Sequence, residues 1–331
     1  MIRFLIAAAL ALAAAPGLAQ QGDWRHAESG VSIPREFGDL RVGDEREFGD
    51  AGRFDVIVQL GSDREPATLY VYRSAYPNPA LWFDRVRTAM NENVGAQGVA
   101  AAPRAITLGG APSPNALREE FDLPAGGQWR ATSVAIIQAG EWIVKARVTS
   151  ATLDRAGVAE RMDRLLAALR FATPLPAPHP LRVPVPCADN PTLGGNAIRR
   201  DDGRAVASVN GVAVYAEARG HGGLAADPGA WCRARSDIPP QYGTAYRRLD
   251  GSEWIVLVSD SGRAVSARVL QPTLPGLPEN SAASFASLPQ STRVVNLFDG
   301  LPDIGRTFVE AVPVVSGQSR GMAEISVGPD E

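Results

Sequence analysis

Apolar and polar residues alternate along much of the chain with the two-residue period of half-buried strands, and in the first half this gives way to a helical period twice. "GVSIPREF" reads as a short opening strand, and "FDVIVQL", the turn "GSDREP" and "ATLYVYR" read as a hairpin. In "NPALWFDRVRTAMNENVG", Asn78 is placed to cap a helix, Pro79 to occupy its first position and Gly95 to end it. Trp82, Phe83, Val86, Ala89 and Met90 share one face of that helix. The segments "RAITLGG", "NALREEFDL", "WRATSVAIIQ" and "EWIVKARVT" are predicted strands. In "TLDRAGVAERMDRLLAALRF", Val158, Met162, Leu165, Leu166 and Leu169 fall on one side and arginines and acids on the other. That helix is therefore expected to pack on a single face.

Prolines alternate with other residues through "FATPLPAPHPLRVPVPC", where neither a helix nor a sheet interior can continue. The stretch is read as an extended spacer, residues 173–186, between separately folding units at 28–172 and 187–331. The second unit has short predicted strands: "AVASVNGVAVYAEA" turning at Asn210-Gly211, "EWIVLVSDSGRAVSARV", "TRVVNLF", "RTFVEAVPVV" and "MAEISV". "DPGAWCRAR" is predicted as a short helix with Asp227 as cap and Pro228 in the first turn. The tetrapeptide "EWIV" occurs at Glu141 to Val144 and at Glu253 to Val256, but one copy leads into a helix and the other into a hairpin, so no duplication is inferred.

The order of elements in residues 28–172, with "GVSIPREF", "TLYVYR", the "LGGAP" turn, the "EFDL" to "EWIVKARV" meander and a closing helix ending in "LRF", resembles the Mog1/PsbP-like proteins. The resemblance implies an α/β/α sandwich with an antiparallel sheet and a scaffold for binding and assembly; it carries no functional residue onto this chain. The expected class is α+β, this sandwich being followed by a mainly β domain whose fold the sequence does not identify.

Composition adds an address. "MIRFLIAAALALAAAPGLAQ" has a basic start, an apolar run and small residues, the layout of a secretory signal peptide cleaved near Ala19. The run falls short of the about 20 residues a membrane span needs, and no later segment is long enough. The expectation is a periplasmic or secreted protein of bacterial origin with no membrane span when mature. Two cysteines in such a compartment, Cys187 and Cys232, are expected to pair. One lysine, Lys145, stands against 32 arginines, and with a formal net charge of −3 and interspersed signs, nucleic acid is not an expected partner.

Several motifs tempt and lack their context. "GQSRG" fits a nucleophile elbow at Ser319, yet no histidine follows it. "GHGGLA" at Gly220 to Ala225 fits a dinucleotide loop, but "DPG" breaks the helix that should follow. His26, His179 and His221 lie too far apart for a zinc motif and are read as scattered surface residues. The acid-rich run from Asp39 to Asp55 does not space its oxygens as a calcium loop does and is read as a solvated loop. No catalytic residue, cofactor or metal is therefore expected. Tyr70, Tyr72 and Tyr76 are core residues or else an exposed patch, and with Asp44, Glu45 and Glu47 they form the candidate surface for an envelope protein partner. A non-catalytic binding or assembly module is the reading favoured by sequence; a secreted hydrolase with a site hidden in the fold is the alternative.

Overall fold

The computed structural model describes residues 22–47, 55–93, 97–98, 103–172, 175, 181–188, 197–200, 231–270, 277–289, 291–318 and 323–326. Strands dominate, and every pairing between them is antiparallel. The first sheet takes β3 (Glu36–Phe37), β4 (Leu40–Glu47), β5 (Asp55–Ser62), β6 (Glu65–Arg73), β11 (Trp142–Ser150), β10 (Ala131–Ala139), β9 (Ala116–Asp122) and β7 (Gln97–Gly98) in that spatial order. β8 (Arg104–Ile106) also pairs with β9. The hairpin β1 (Trp24–Arg25) and β2 (Ser32–Ile33) is tied by Ser32 to Arg170 at the end of the second helix.

Two helices cover opposite faces of this sheet. Asn78 Oδ1 accepts from the amides of Ala80 and Leu81, starting α1 (Pro79–Asn93) as its sequence predicts. Asp154 accepts from Gly157 N and starts α2 (Arg155–Ala168). Val158, Met162, Leu165 and Leu166 of α2 bury against Val56, Val58, Leu69, Val144 and Val148. Those strand residues point to one face because they alternate. Their neighbours Tyr72, Val134, Ile136 and Ile143 face α1, whose Trp82, Phe83, Val86 and Met90 complete a second core.

The second half is a meander of β12 (Trp231–Arg233), β13 (Gly243–Arg248), β14 (Glu253–Val258), β15 (Arg263–Val269), β16 (Ala282–Ser287), β17 (Ser291–Phe298) and β18 (Ala323–Ser326). One face sends Trp231, Tyr246, Ile255, Leu257 and Ala264 into the same core as α1. The other sends Trp254, Val256, Val265 and Ala267 against α3 (Ile304–Val315). The layers thus run α2, first sheet, α1, second sheet, α3, and α1 is buried from both sides. Leu175 enters the core under α2, while Leu181 and Val183 pack on the middle core, so both described ends of the proline stretch lie on the body of the protein. Cys187 and Cys232 are bonded, and Cys187 N donates to Arg233 O beside them.

Four local expectations are corrected. "RTFVEAVPVV" is helical, because Asp303 caps it by accepting from Arg306 N and its buried residues Ile304, Thr307, Phe308, Ala311, Val314 and Val315 recur at helical spacing. Trp231–Arg233 is strand, held by β13 and by the disulfide. "GVSIPREF" is divided at Pro34 into β2 and β3, and the acid-rich run after Asp39 forms strand β4 up to Glu47. The hairpin around Asn210, the cap Asp227, the "GHGGLA" loop, Ser319, His179 and His221 lie outside the described residues.

Candidate functional site

The turn between β14 and β15 enters the first sheet's territory, and Gly262 is what lets it approach. Its φ is +70°, Ala75 N donates to its carbonyl, and a Cβ there would lie 2.2 Å from Arg73 O. This approach places Asp260 over β11. Asp260 Oδ2 accepts from Lys145 Nζ at 2.6 Å, and the ammonium lies 3.7 Å from the centre of the Tyr70 ring. Burial pushes the Asp260 carboxyl up, but the Lys145 ammonium and its hydrogen bond, together with Arg85 and Arg147, outweigh it and hold it below the usual carboxylate range.

Lys145 and Arg147 sit two residues apart on β11, so both face the α1 side of the sheet, opposite Ile136 and Val134 of β10. With Asp260 they border a cavity of about 180 Å³ whose other walls are Val86, Ala89 and Met90 of α1 and Val134. Lys145 is only 3% exposed. Arg147 Nε reaches the Thr132 hydroxyl at 3.5 Å. Behind the turn, Arg85 is buried, with one long contact from Nη2 to Gln241 O and none for Nε or Nη1 among the described residues. Asp55, opposite Tyr72 on β5, has its carboxyl raised to about 6 by burial, against the pull of Arg263 and Lys145.

A second charged cluster fastens α1 to the second sheet. Arg233 donates to Asp84 Oδ1 at 2.8 Å and to the Thr88 hydroxyl at 3.0 Å, and Tyr246 donates to Leu81 O. Burial raises Asp84 to about 6 despite Arg233. Arg233 and Thr88 also line a cavity of about 330 Å³ with Glu92, Arg235 and Ser236, next to the disulfide. On the first sheet, Glu119 pairs with Arg87 Nε at 3.2 Å, and burial raises it to about 7.

The residues proposed from sequence do not converge. Tyr72 and Tyr76 are corrected as surface residues: both are buried in the middle core, Tyr72 edge-on to Trp82, because the second sheet covers their face. Tyr70 is half-buried beneath Lys145, on the same side of β6 as Tyr72. Asp44, Glu45 and Glu47 are exposed on β4, where Glu45 and Glu47 stand opposite Val58 and Val56 and so belong to the α2 face. His26 is also corrected, being buried edge-on against Trp142 and bonded to Ser29. Among the described residues, no group of His, Cys, Asp or Glu is arranged to hold a metal ion.

Sequence reasoning passed over Lys145, Arg147, Arg85 and Asp260 as site residues. The alternation in "IVKARV" carried a signal for the first two, since it puts the chain's single lysine and an arginine on one strand face. No family model matches the chain, and no curated protein matches it.

Proposed function

We propose that this is a non-catalytic binding protein of the bacterial cell envelope, in which the Mog1/PsbP-like sandwich of residues 28–172 presents the binding face. The observation that carries the reading is the convergence of Lys145, Arg147 and Asp260 around a cavity between α1 and strands β10 and β11, on the sheet face that also carries Tyr70. Asp84 and Arg233 fasten α1 to the second sheet, and Lys145 and Asp260 likewise join two layers, but here a second cation, Arg147, borders the same opening without a carboxylate partner of its own among the described residues. Two helices on opposite faces of an antiparallel sheet support the sandwich assignment, and the Cys187–Cys232 bond supports an oxidising compartment.

The test is site-specific photo-crosslinking in cells carrying the full chain. A crosslinker replacing Gln59, on this face beside Thr68, should give discrete adducts, whereas one replacing exposed Glu160 on α2 should not. No adduct from Gln59, together with ester or peptide turnover that survives repurification, would replace this reading with the hydrolase.

A further inference from the structure

The cavity beside Lys145 has a chemistry specific enough to name a ligand class, granted the binding reading above. Its walls divide sharply. Val86, Ala89, Met90 and Val134 are apolar; Lys145, Arg147 and Asp260 are charged. Asp260 serves Lys145 through Oδ2, while its Oδ1 has no partner among the described residues, so the lining keeps an excess of one positive charge; of the charged groups just outside it, Arg85, with two nitrogens unpartnered among the described residues, adds a positive charge and Asp55 a negative one. Buried cations are stable where an anion compensates them, and this group is short of one.

Shape and size narrow the anion. A cavity of about 180 Å³ corresponds to the liquid volume of about six waters, below the range that holds drug-sized ligands. Half of its lining would desolvate an inorganic sulfate or phosphate without offering it a donor. A carboxylate matches the planar fork of Arg147 and the ammonium of Lys145, and a short alkyl group matches the wall made by α1. We propose that the cavity binds a carboxylate bearing a short aliphatic group. The shared chemistry has two sources, a free short-chain acid and the C-terminus of a peptide ending in a residue such as valine.

The single lysine makes the test direct. Full-length protein labelled with ¹⁵N-lysine has one side-chain ammonium signal, and ¹³C-methyl methionine supplies Met90 in the cavity wall and Met162 under the opposite face of the sheet. Valerate, or a tripeptide ending in valine with a free carboxylate, should shift the Lys145 and Met90 signals saturably at millimolar concentration and leave Met162 in place. The response to valerate or to the peptide identifies the source, and the amidated peptide should be silent. Arg147→Gln should weaken binding about tenfold or more, the scale of one charged hydrogen bond. Ala89→Leu, which fills the cavity with a good helix former and keeps every charge, should weaken it at least as much. Silence toward both carboxylates, an equal response to sulfate, or full affinity in both variants would overturn the proposal. Gln59 adducts with no response to carboxylates would sink the ligand class and leave the binding reading standing; a saturable response without adducts would support the ligand class as a free acid and remove only the protein partner.

Discussion

Asp84 is 1% exposed at its side chain and lies between α1 and the second sheet, so its worth depends on what it leaves behind when removed. In Asp84→Ala, Arg233 would keep only the Thr88 hydroxyl among its described side-chain partners. Breaking a buried ion pair costs about 3–5 kcal/mol, and because Arg233 is 29% exposed and water can reach it, the expected loss is about 2–3 kcal/mol in urea unfolding. Arg306→Ala is the contrast. Its bond to Glu310 is an exposed pair one helical turn apart, and its removal should cost less than about 0.5 kcal/mol. Equal losses in the two variants would show that Asp84 is not holding the layers. The disulfide acts on the unfolded chain instead: closing a loop with a separation of 45 residues is worth about 4 kcal/mol in the chain-entropy model. Cys187→Ala with Cys232→Ala should therefore lower the unfolding midpoint more than either charge variant.

At the scale of elements, the β14–β15 turn is the piece that makes the site, and its seat is the backbone of Arg73. Gly262→Ala would add a left-handed penalty of about 1–2 kcal/mol and a clash with a carbonyl at 2.2 Å, so the turn must withdraw. Gly140→Ala has a similar φ of +64° and meets nothing within 4 Å, so it should cost only the backbone penalty. The larger loss in Gly262→Ala should come with displacement of the Lys145 ammonium signal, which Gly140→Ala should leave unchanged. This turn also marks the limit of what was legible. Strands β5, β6, β10, β11, β14 and β15 and helices α1 and α2 declare themselves by period and caps, which are local properties. In α3 the local signals conflict, since valines and Pro313 favour strand or loop while Asp303 and the spacing of buried residues favour helix; packing on β15 and β16 decides it. Lys145 and Arg147 were readable as neighbours on a strand face. Asp260 was not, because its place beside Lys145 depends on a turn docking from 115 residues away.

Over the whole molecule, α1 belongs to both sheets, so residues 22–172 alone would expose Trp82, Phe83 and Tyr72 where Trp231, Tyr246 and Ile255 now cover them. The full chain should therefore unfold in one transition by fluorescence and calorimetry; two separated transitions would instead make the halves independent. The same burial sets the response to pH. Asp55 and Asp84 are raised from 3.8 to about 6 and Glu119 from 4.5 to about 7, in each case mainly by loss of water. Between the unfolded and folded values the native state binds more protons than the unfolded one, so stability declines as pH rises from about 4 to about 7. Asp260 works in the opposite sense: its folded value is lowered, its contribution is present above 3.8 and it is lost as acid protonates it. Urea midpoints measured across pH should therefore be higher at about pH 5 than at about pH 7.5. Glu119→Gln, which removes the titration and preserves the shape, should flatten that slope, while Glu160→Gln on the exposed side of α2 should not. A midpoint that rises from pH 5 to 7.5, or a slope unchanged by Glu119→Gln, would mean that Arg87 stabilises the carboxylate more than burial penalises it.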